Sequence, residues 1–146
     1  MRQVRPLAST DLLRQHFELL SNLRPSPALA PSLYQAIFTH FKSCPLTYYT
    51  VVMVDTRKDR LVASGTLIVE RKHINGGGAA GHLEDIVVAE EMRGKKLGMT
   101  LVTGLRDLAV SLGCYKVILD CKEAKIRELS TPFFIWGTYS FECSVL

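Results

Sequence analysis

The stretch from Gly81 to Gly113 constrains this chain more than any other part of it. Leu83-Glu84-Asp85-Ile86-Val87-Val88 is a short run rich in β-branched residues, followed closely by the basic, glycine-bearing segment Arg93-Gly94-Lys95-Lys96-Leu97-Gly98. Leu97, Leu101, Leu105, Leu108 and Leu112 then mark a helix, and Gly113 suits the residue that closes it. A strand that turns through glycine and cations onto a helix N-terminus presents unpaired N–H groups together with the positive end of the helix dipole. Such a turn can hold a pyrophosphate, with glycine allowing close backbone approach and Arg93, Lys95 and Lys96 adding charge. The bare string equally fits a helix-capping turn with solvated cations. It is neither a Walker loop, which closes with Gly-Lys-Ser/Thr, nor the dinucleotide spacing G-x-G-x-x-G.

The rest of the chain frames this unit. Ser9, Thr10 and Asp11 offer an N-cap to a first helix carrying Leu12, Leu13, His16, Phe17 and Leu20. Pro25, Pro27 and Pro31 stiffen the connection to a second helix with Leu33, Tyr34, Ile37, Phe38 and Phe41. Strands are expected over Tyr48 to Val54 and Leu61 to Glu70, antiparallel across a polar turn, and again over Leu83 to Val88 after a glycine-rich loop from Arg71 to His82. Tyr115 to Cys121 supplies another strand. The order predicts an α/β domain, a mixed sheet covered by helices, with residues 1–146 forming one unit. A chain of 146 residues is long enough for one real core.

Composition narrows the function. Eighteen Lys and Arg against fourteen Asp and Glu give a net charge of +4, scattered apart from Arg71-Lys72 and Arg93 to Lys96. That favours a local anionic ligand over a nucleic-acid surface. The cysteines at 44, 114, 121 and 143 form no CxxC pair, no apolar run reaches membrane length, and Met1 to Pro6 does not resemble a secretory leader. Free thiols and a cytoplasmic location are expected, with no membrane and no nucleic acid as partner. His16 and His40 sit in helical patterns as packing or surface residues, and neither an HExxH nor a GxSxG motif is present. Glu84 and Asp85 are adjacent, so in a regular strand their side chains face opposite sides and cannot form a two-carboxylate pair.

The strand, turn and helix resemble the acetyl-CoA-binding motif of the GNAT acetyltransferase superfamily, Arg or Gln, two residues, Gly, one residue, then Gly or Ala. Arg93 and Gly98 match, while Lys96 stands where the middle glycine is usual. The glucosamine-6-phosphate N-acetyltransferase family within it carries a GHxEDxVV strand, an RGKxLG turn and a CYKxxLxC strand. This chain has Gly81 to Val88, Arg93 to Gly98 and Cys114 to Cys121 in that order.

The resemblance implies the GNAT fold, a mixed and mostly antiparallel sheet flanked by helices, and transfer of acetyl from acetyl-CoA to the 2-amino group of glucosamine 6-phosphate, feeding UDP-N-acetylglucosamine synthesis. No metal is implied. It assigns acetyl-CoA to Ile86, Val87, Val88, Arg93, Gly94, Lys95, Lys96, Leu97, Gly98 and Met99. It assigns the sugar phosphate to Arg24, Lys72, His73, Ile74, Asn75, Glu84, Asp85, Tyr115 and Lys116, near the interface of a homodimer. Glu84, Asp85 and Asp120 become the catalytic candidates, although a strand-end aspartate is also a common turn former and either neighbouring carboxylate could simply pair with a surface lysine. The family tyrosine beside the departing sulfur is missing: Phe134 or Leu129 takes its place, and Tyr139 or solvent is left to protonate the thiolate. The alternatives are a GNAT enzyme for another small amine or a protein N-terminus, and a non-catalytic acyl-CoA-binding regulatory module.

Overall fold

A computed structural model describes residues 1–25, 27–120 and 140–144. Its elements are β1 (Arg2–Pro6), a 3-10 turn (Ser9–Arg14), α1 (His16–Ser21), α2 (Pro31–Ser43), β2 (Tyr48–Asp55), β3 (Arg60–Arg71), β4 (Ala79–Val88), α3 (Leu97–Ser111), β5 (Cys114–Asp120) and β6 (Ser140–Ser144). Among the described residues one six-stranded sheet runs in chain order from β1 to β6. The pairings from β1 to β4 are antiparallel and those of β4 with β5 and β5 with β6 are parallel. The sheet is mixed, as the element order predicted.

Helix α3 covers one face. Its Leu101, Leu105 and Ala109 are buried and join Leu67 and Leu83 in the core. Close packing here depends on missing side chains: a Cβ on Gly81 would lie 3.0 Å from Leu67 and 3.2 Å from Ala109. The opposite face receives α1 and α2 through a buried polar triplet, in which His16 Nδ1 meets the Tyr34 hydroxyl at 2.8 Å and Nε2 meets Ser64 Oγ at 3.1 Å. His16 is thus a satisfied core histidine.

Four features depart from the sequence reading. The first helix is broken, because Gln15 takes a left-handed conformation (φ 63) between the 3-10 turn and α1. Its N-cap is Ala8, and Asp11 reaches back to accept the Ala8 N–H at 2.8 Å. Asp11 is fully buried and also takes both Arg5 guanidinium nitrogens at 2.7 Å, which anchors the unforeseen edge strand β1 to the turn. β4 begins at Ala79 rather than Leu83, so the glycine-rich loop is shorter than expected.

The fourth departure matters most for function. Ser64 pairs with Val87 and Thr66 with Glu84, so Gly65 alone faces both Asp85 and Ile86. This is a β-bulge, with Asp85 left-handed at φ 52. Regular strand alternation is interrupted at Asp85, and Glu84 and Asp85 are both solvent exposed. A Cβ on Gly65 would stand 2.6 Å from Ile86 Cδ1 and 3.0 and 3.1 Å from Leu105 and Leu101. Gly65→Ala is expected to destabilise the fold by about 1 kcal/mol in urea titration, since three flexible side-chain ends must shift together. Unchanged stability would mean that the bulge is not tightly packed.

Candidate active site

The bulge coincides with a parting of strands. The last β4–β5 pair is Leu83 with Leu119, and β4 continues to Val88 paired with β3 only, among the described residues. Among the described residues one backbone edge of β4 therefore has no strand partner over Glu84 to Val88, which suits an extended ligand. The strand ends against the next element, with a Cβ placed on Gly98 coming 3.6 Å from Val88 Cγ2.

The connecting turn is left-handed at two points, Gly94 (φ 75) and Lys96 (φ 59). Lys96 thus adopts the conformation for which glycine is usually selected, at a cost of about 1 kcal/mol. The first i→i−4 bond at the start of α3 runs from Thr100 N–H to the Lys96 carbonyl at 3.0 Å. The N–H groups of Leu97, Gly98 and Met99 precede it, and α3 has no side-chain cap. Those donors and the helix dipole point out at the end of the open β4 edge.

Charge around the turn is arranged to suit an anion. Glu91 pairs with Arg60, and Glu90 lies 3.5 Å from Arg93, so both acidic residues before the turn face a cation. Arg93 stays more than half exposed, and Lys95 Nζ leans on the Glu91 carbonyl and the Met92 sulfur, each at 3.4 Å. The donors fit a pyrophosphate: N–H groups that precede the first helical bond, at a turn with two left-handed residues and three cations. The open β4 edge fits the amide-bearing arm of a CoA.

A second cluster lies toward the other end of β4. The loop after β3 closes with Lys72 N–H on the Gly78 carbonyl at 2.9 Å, and Asn75, Gly76 and Gly77 are all left-handed (φ 53, 66 and 77). Tyr115 packs over this loop, since a Cβ on Gly78 would stand 2.9 Å from its ring. Glu70 accepts from Lys72 Nζ at 2.5 Å and bonds His82 Nε2 at 2.9 Å. Those two donors, Lys72 first, hold the Glu70 carboxyl below the usual carboxylate range. Register pairs Ala80 with Glu70 and Lys116, His82 with Ile68 and Ile118, and Glu84 with Thr66. Glu70, His82, Glu84 and Lys116 therefore share the sheet face away from α3.

The residues expected from sequence thus form two groups. Ile86 to Val88 lead to the turn and helix start at Arg93 to Met99, the two segments meeting at Val88 and Gly98, while Val87 and Leu97 turn their side chains into the core. Lys72, Tyr115 and Lys116 gather at the start of β4, with His73, Ile74 and Asn75 in the adjoining loop, while Glu84 lies on the same sheet face further along the strand, at the bulge; Ile74 is 64% exposed. Asp85 is the left-handed bulge residue between the two groups, and Asp120 closes β5 one residue past the last pair with β4. Arg24 is exposed in the turn that closes α1, its N–H on the Leu20 carbonyl at 3.4 Å. Leu129, Phe134 and Tyr139 lie outside the described residues. Glu70 and His82 were not among the expected site residues, although Glu70, two residues before Lys72 at the strand end, was a readable signal.

An open strand edge that leads through a left-handed, cationic turn onto a helix N-terminus is the arrangement expected of an acyl-CoA-dependent acyltransferase. A profile described as acetyltransferase (GNAT) family matches residues 13–130. The chain belongs to this family and is an acetyl-CoA-dependent N-acetyltransferase. It is 37% identical over 123 residues to glucosamine 6-phosphate N-acetyltransferase 1 of Dictyostelium discoideum, covering 84% of this chain and 78% of that one. It is 40% identical over 121 residues to the rice (Oryza sativa subsp. japonica) probable glucosamine 6-phosphate N-acetyltransferase 2, covering 82% and 73%. The crystal structure of glucosamine-6-phosphate N-acetyltransferase from Arabidopsis thaliana superposes with a TM-score of 0.88 at 28% identity, covering 97% of each chain.

Proposed function

We propose that this protein transfers the acetyl group of acetyl-CoA to the 2-amino group of glucosamine 6-phosphate, in the synthesis of UDP-N-acetylglucosamine. One observation carries the reading: the open edge of β4 and the polar face around Glu84 adjoin at a single bulge. An acyl donor laid along Ile86 to Val88 and an amine resting near Glu84 then meet at Asp85-Ile86. Relatives named for this activity at 37% and 40% identity support it.

The bound thioester supplies an electrophilic carbonyl. The chain's own part begins with Glu84, Asp85 or Asp120 orienting the acceptor ammonium and taking its proton, since only the free amine has a lone pair for attack. Backbone N–H groups on the open edge of β4 stabilise the oxygen that gains negative charge. Lys72 and Lys116 attract the acceptor's phosphate, with the loop around Asn75 shaping its pocket. The departing thiolate is protonated by Tyr139 or by water, because neither Phe134 nor Leu129 carries an exchangeable proton. We place the enzyme in the cytoplasm as a homodimer with the acceptor site near the interface.

Thiol release from acetyl-CoA with a panel of amines tests the reading. Release with glucosamine 6-phosphate well above that with glucosamine, polyamines or peptides is the expected result. Preference for another amine overturns the substrate, and tight CoA binding without release for any amine points to a regulatory module.

A further inference from the structure

Glu70, Lys72 and His82 form a three-membered bridge, and neither acetyl transfer nor the packing of the core calls for it. Its carboxylate joins the last turn of β3 to β4: Glu70 lies on β3, Lys72 is the first residue after it, and His82 lies across the hairpin. The two bonds, 2.5 Å to Lys72 Nζ and 2.9 Å to His82 Nε2, use both carboxylate oxygens. Glu70 is about half exposed and Lys72 and His82 about one third.

Exposed ion pairs add little to stability, because water screens them and two long side chains must be held still. The bridge is therefore poorly explained as a stabilising device. What it does fix is direction. The loop it borders is held by its own backbone bonds, Lys72 N–H to the Gly78 carbonyl among them, and by Tyr115 against Gly78, but these fix the chain and not the direction of the Lys72 side chain. Without Glu70, the Lys72 ammonium would sweep solvent at the end of a flexible stem. With it, the ammonium is drawn to the face of β4 that carries Glu84. His82 and Glu84 are two residues apart on that face, roughly 7 Å along a strand. That is comparable to the span from amine to phosphate in an amino-sugar phosphate, whose anionic group stands on the far side of the ring from its amine.

We propose that Glu70 is a positioning residue for the acceptor, aiming Lys72 with the help of His82 so that the acceptor's phosphate is held one sugar ring from Glu84. The inference rests on the proposed substrate. It assigns Glu70 no contact with acetyl-CoA and no proton in the reaction.

Glu70→Ala and Glu70→Gln are compared with the unaltered full chain in steady-state kinetics, varying glucosamine 6-phosphate and acetyl-CoA in turn. The expected result is a KM for glucosamine 6-phosphate raised roughly tenfold in Glu70→Ala, the worth of one charge-assisted hydrogen bond, and less in Glu70→Gln. The KM for acetyl-CoA and the thermal midpoint should stay put. His82→Ala should raise the same KM, and adding it to Glu70→Ala should raise it little further, because both act through one bridge. An unaltered acceptor KM in Glu70→Ala overturns the inference, and so does a matching rise in the acetyl-CoA KM or a lowered thermal midpoint, which would mark a structural role. If the unaltered protein turns over other amines and not glucosamine 6-phosphate, the proposed substrate fails and the inference falls with it.

Discussion

Gly98→Trp is expected to fold normally and to lose affinity for CoA by a hundredfold or more, about 2.7 kcal/mol. The fold should tolerate the change because a Cβ at this position meets only Val88 Cγ2, at 3.6 Å, an ordinary contact. Gly98 has no left-handed φ to protect, unlike Gly94 at φ 75. A tryptophan in the first turn of α3 is also a better helix former than glycine. Its indole must nevertheless go somewhere, and the room beside Gly98 is the room between the open β4 edge and the N–H groups of Leu97, Gly98 and Met99. A pyrophosphate cannot share that space. Calorimetric titration with CoA measures the loss, and an unchanged thermal midpoint without ligand shows that the fold is intact. Wild-type CoA affinity in a folded variant would remove this turn from the site.

The same turn shows what the sequence could and could not disclose. α3 was legible because leucines at 97, 101, 105 and 108 repeat at helical spacing and Gly113 follows, left-handed at φ 80. The central strands were legible from their β-branched runs. Lys96 hid its own geometry, since nothing in a lysine announces φ 59, and only the family pattern with glycine there hinted at it. The bulge was hidden for a related reason. Its left-handed residue is Asp85, while the glycine that makes room for it is Gly65 on the neighbouring strand, and the two are connected only by the β3–β4 register. β1 is a polar edge strand ending in Pro6, with no apolar alternation to reveal it. Gln15 breaks a helix through which the apolar pattern of Leu12, His16 and Leu20 continues without a gap. In each case the residue type was compatible with the structure, and long-range packing made the choice.

Long-range packing also governs how stability responds to acid, and His16 is the residue that should report it. Its ring is 5% exposed and hydrogen-bonded through both nitrogens to Tyr34 and Ser64. Burial drives its pKa from the ordinary 6.5 down to about 4, against a weaker opposing pull from Asp11. Above pH 6.5 the imidazole is neutral both folded and unfolded, and it contributes no pH dependence. Between 6.5 and 4 the unfolded chain takes up a proton that the folded state refuses, so stability falls as pH falls. The loss should accumulate to about 3 kcal/mol by pH 4 and then level off, because each tenfold difference in proton affinity between the two states is worth ~1.4 kcal/mol. Asp11, Asp55 and Glu70 all have lowered pKa values, so their acid limbs begin only below their ordinary values of 3.8, 3.8 and 4.5 and lie mostly outside this window. Urea titrations of the wild type and of His16→Gln at pH 7.5, 6.5, 5.5 and 4.5 separate the two regimes. The variant should be the less stable protein at pH 7.5, having lost the geometry of two buried hydrogen bonds, and its stability should fall much less between pH 6.5 and 4.5. Parallel acid limbs in the two proteins would show that His16 charges freely in the folded state. Ser64, its partner, pairs with Val87 on the open strand, so loss of the triplet should also loosen β4 where acetyl-CoA is expected to lie. A raised KM for acetyl-CoA in His16→Gln at pH 7.5, with the protein still folded, is the kinetic sign of that connection.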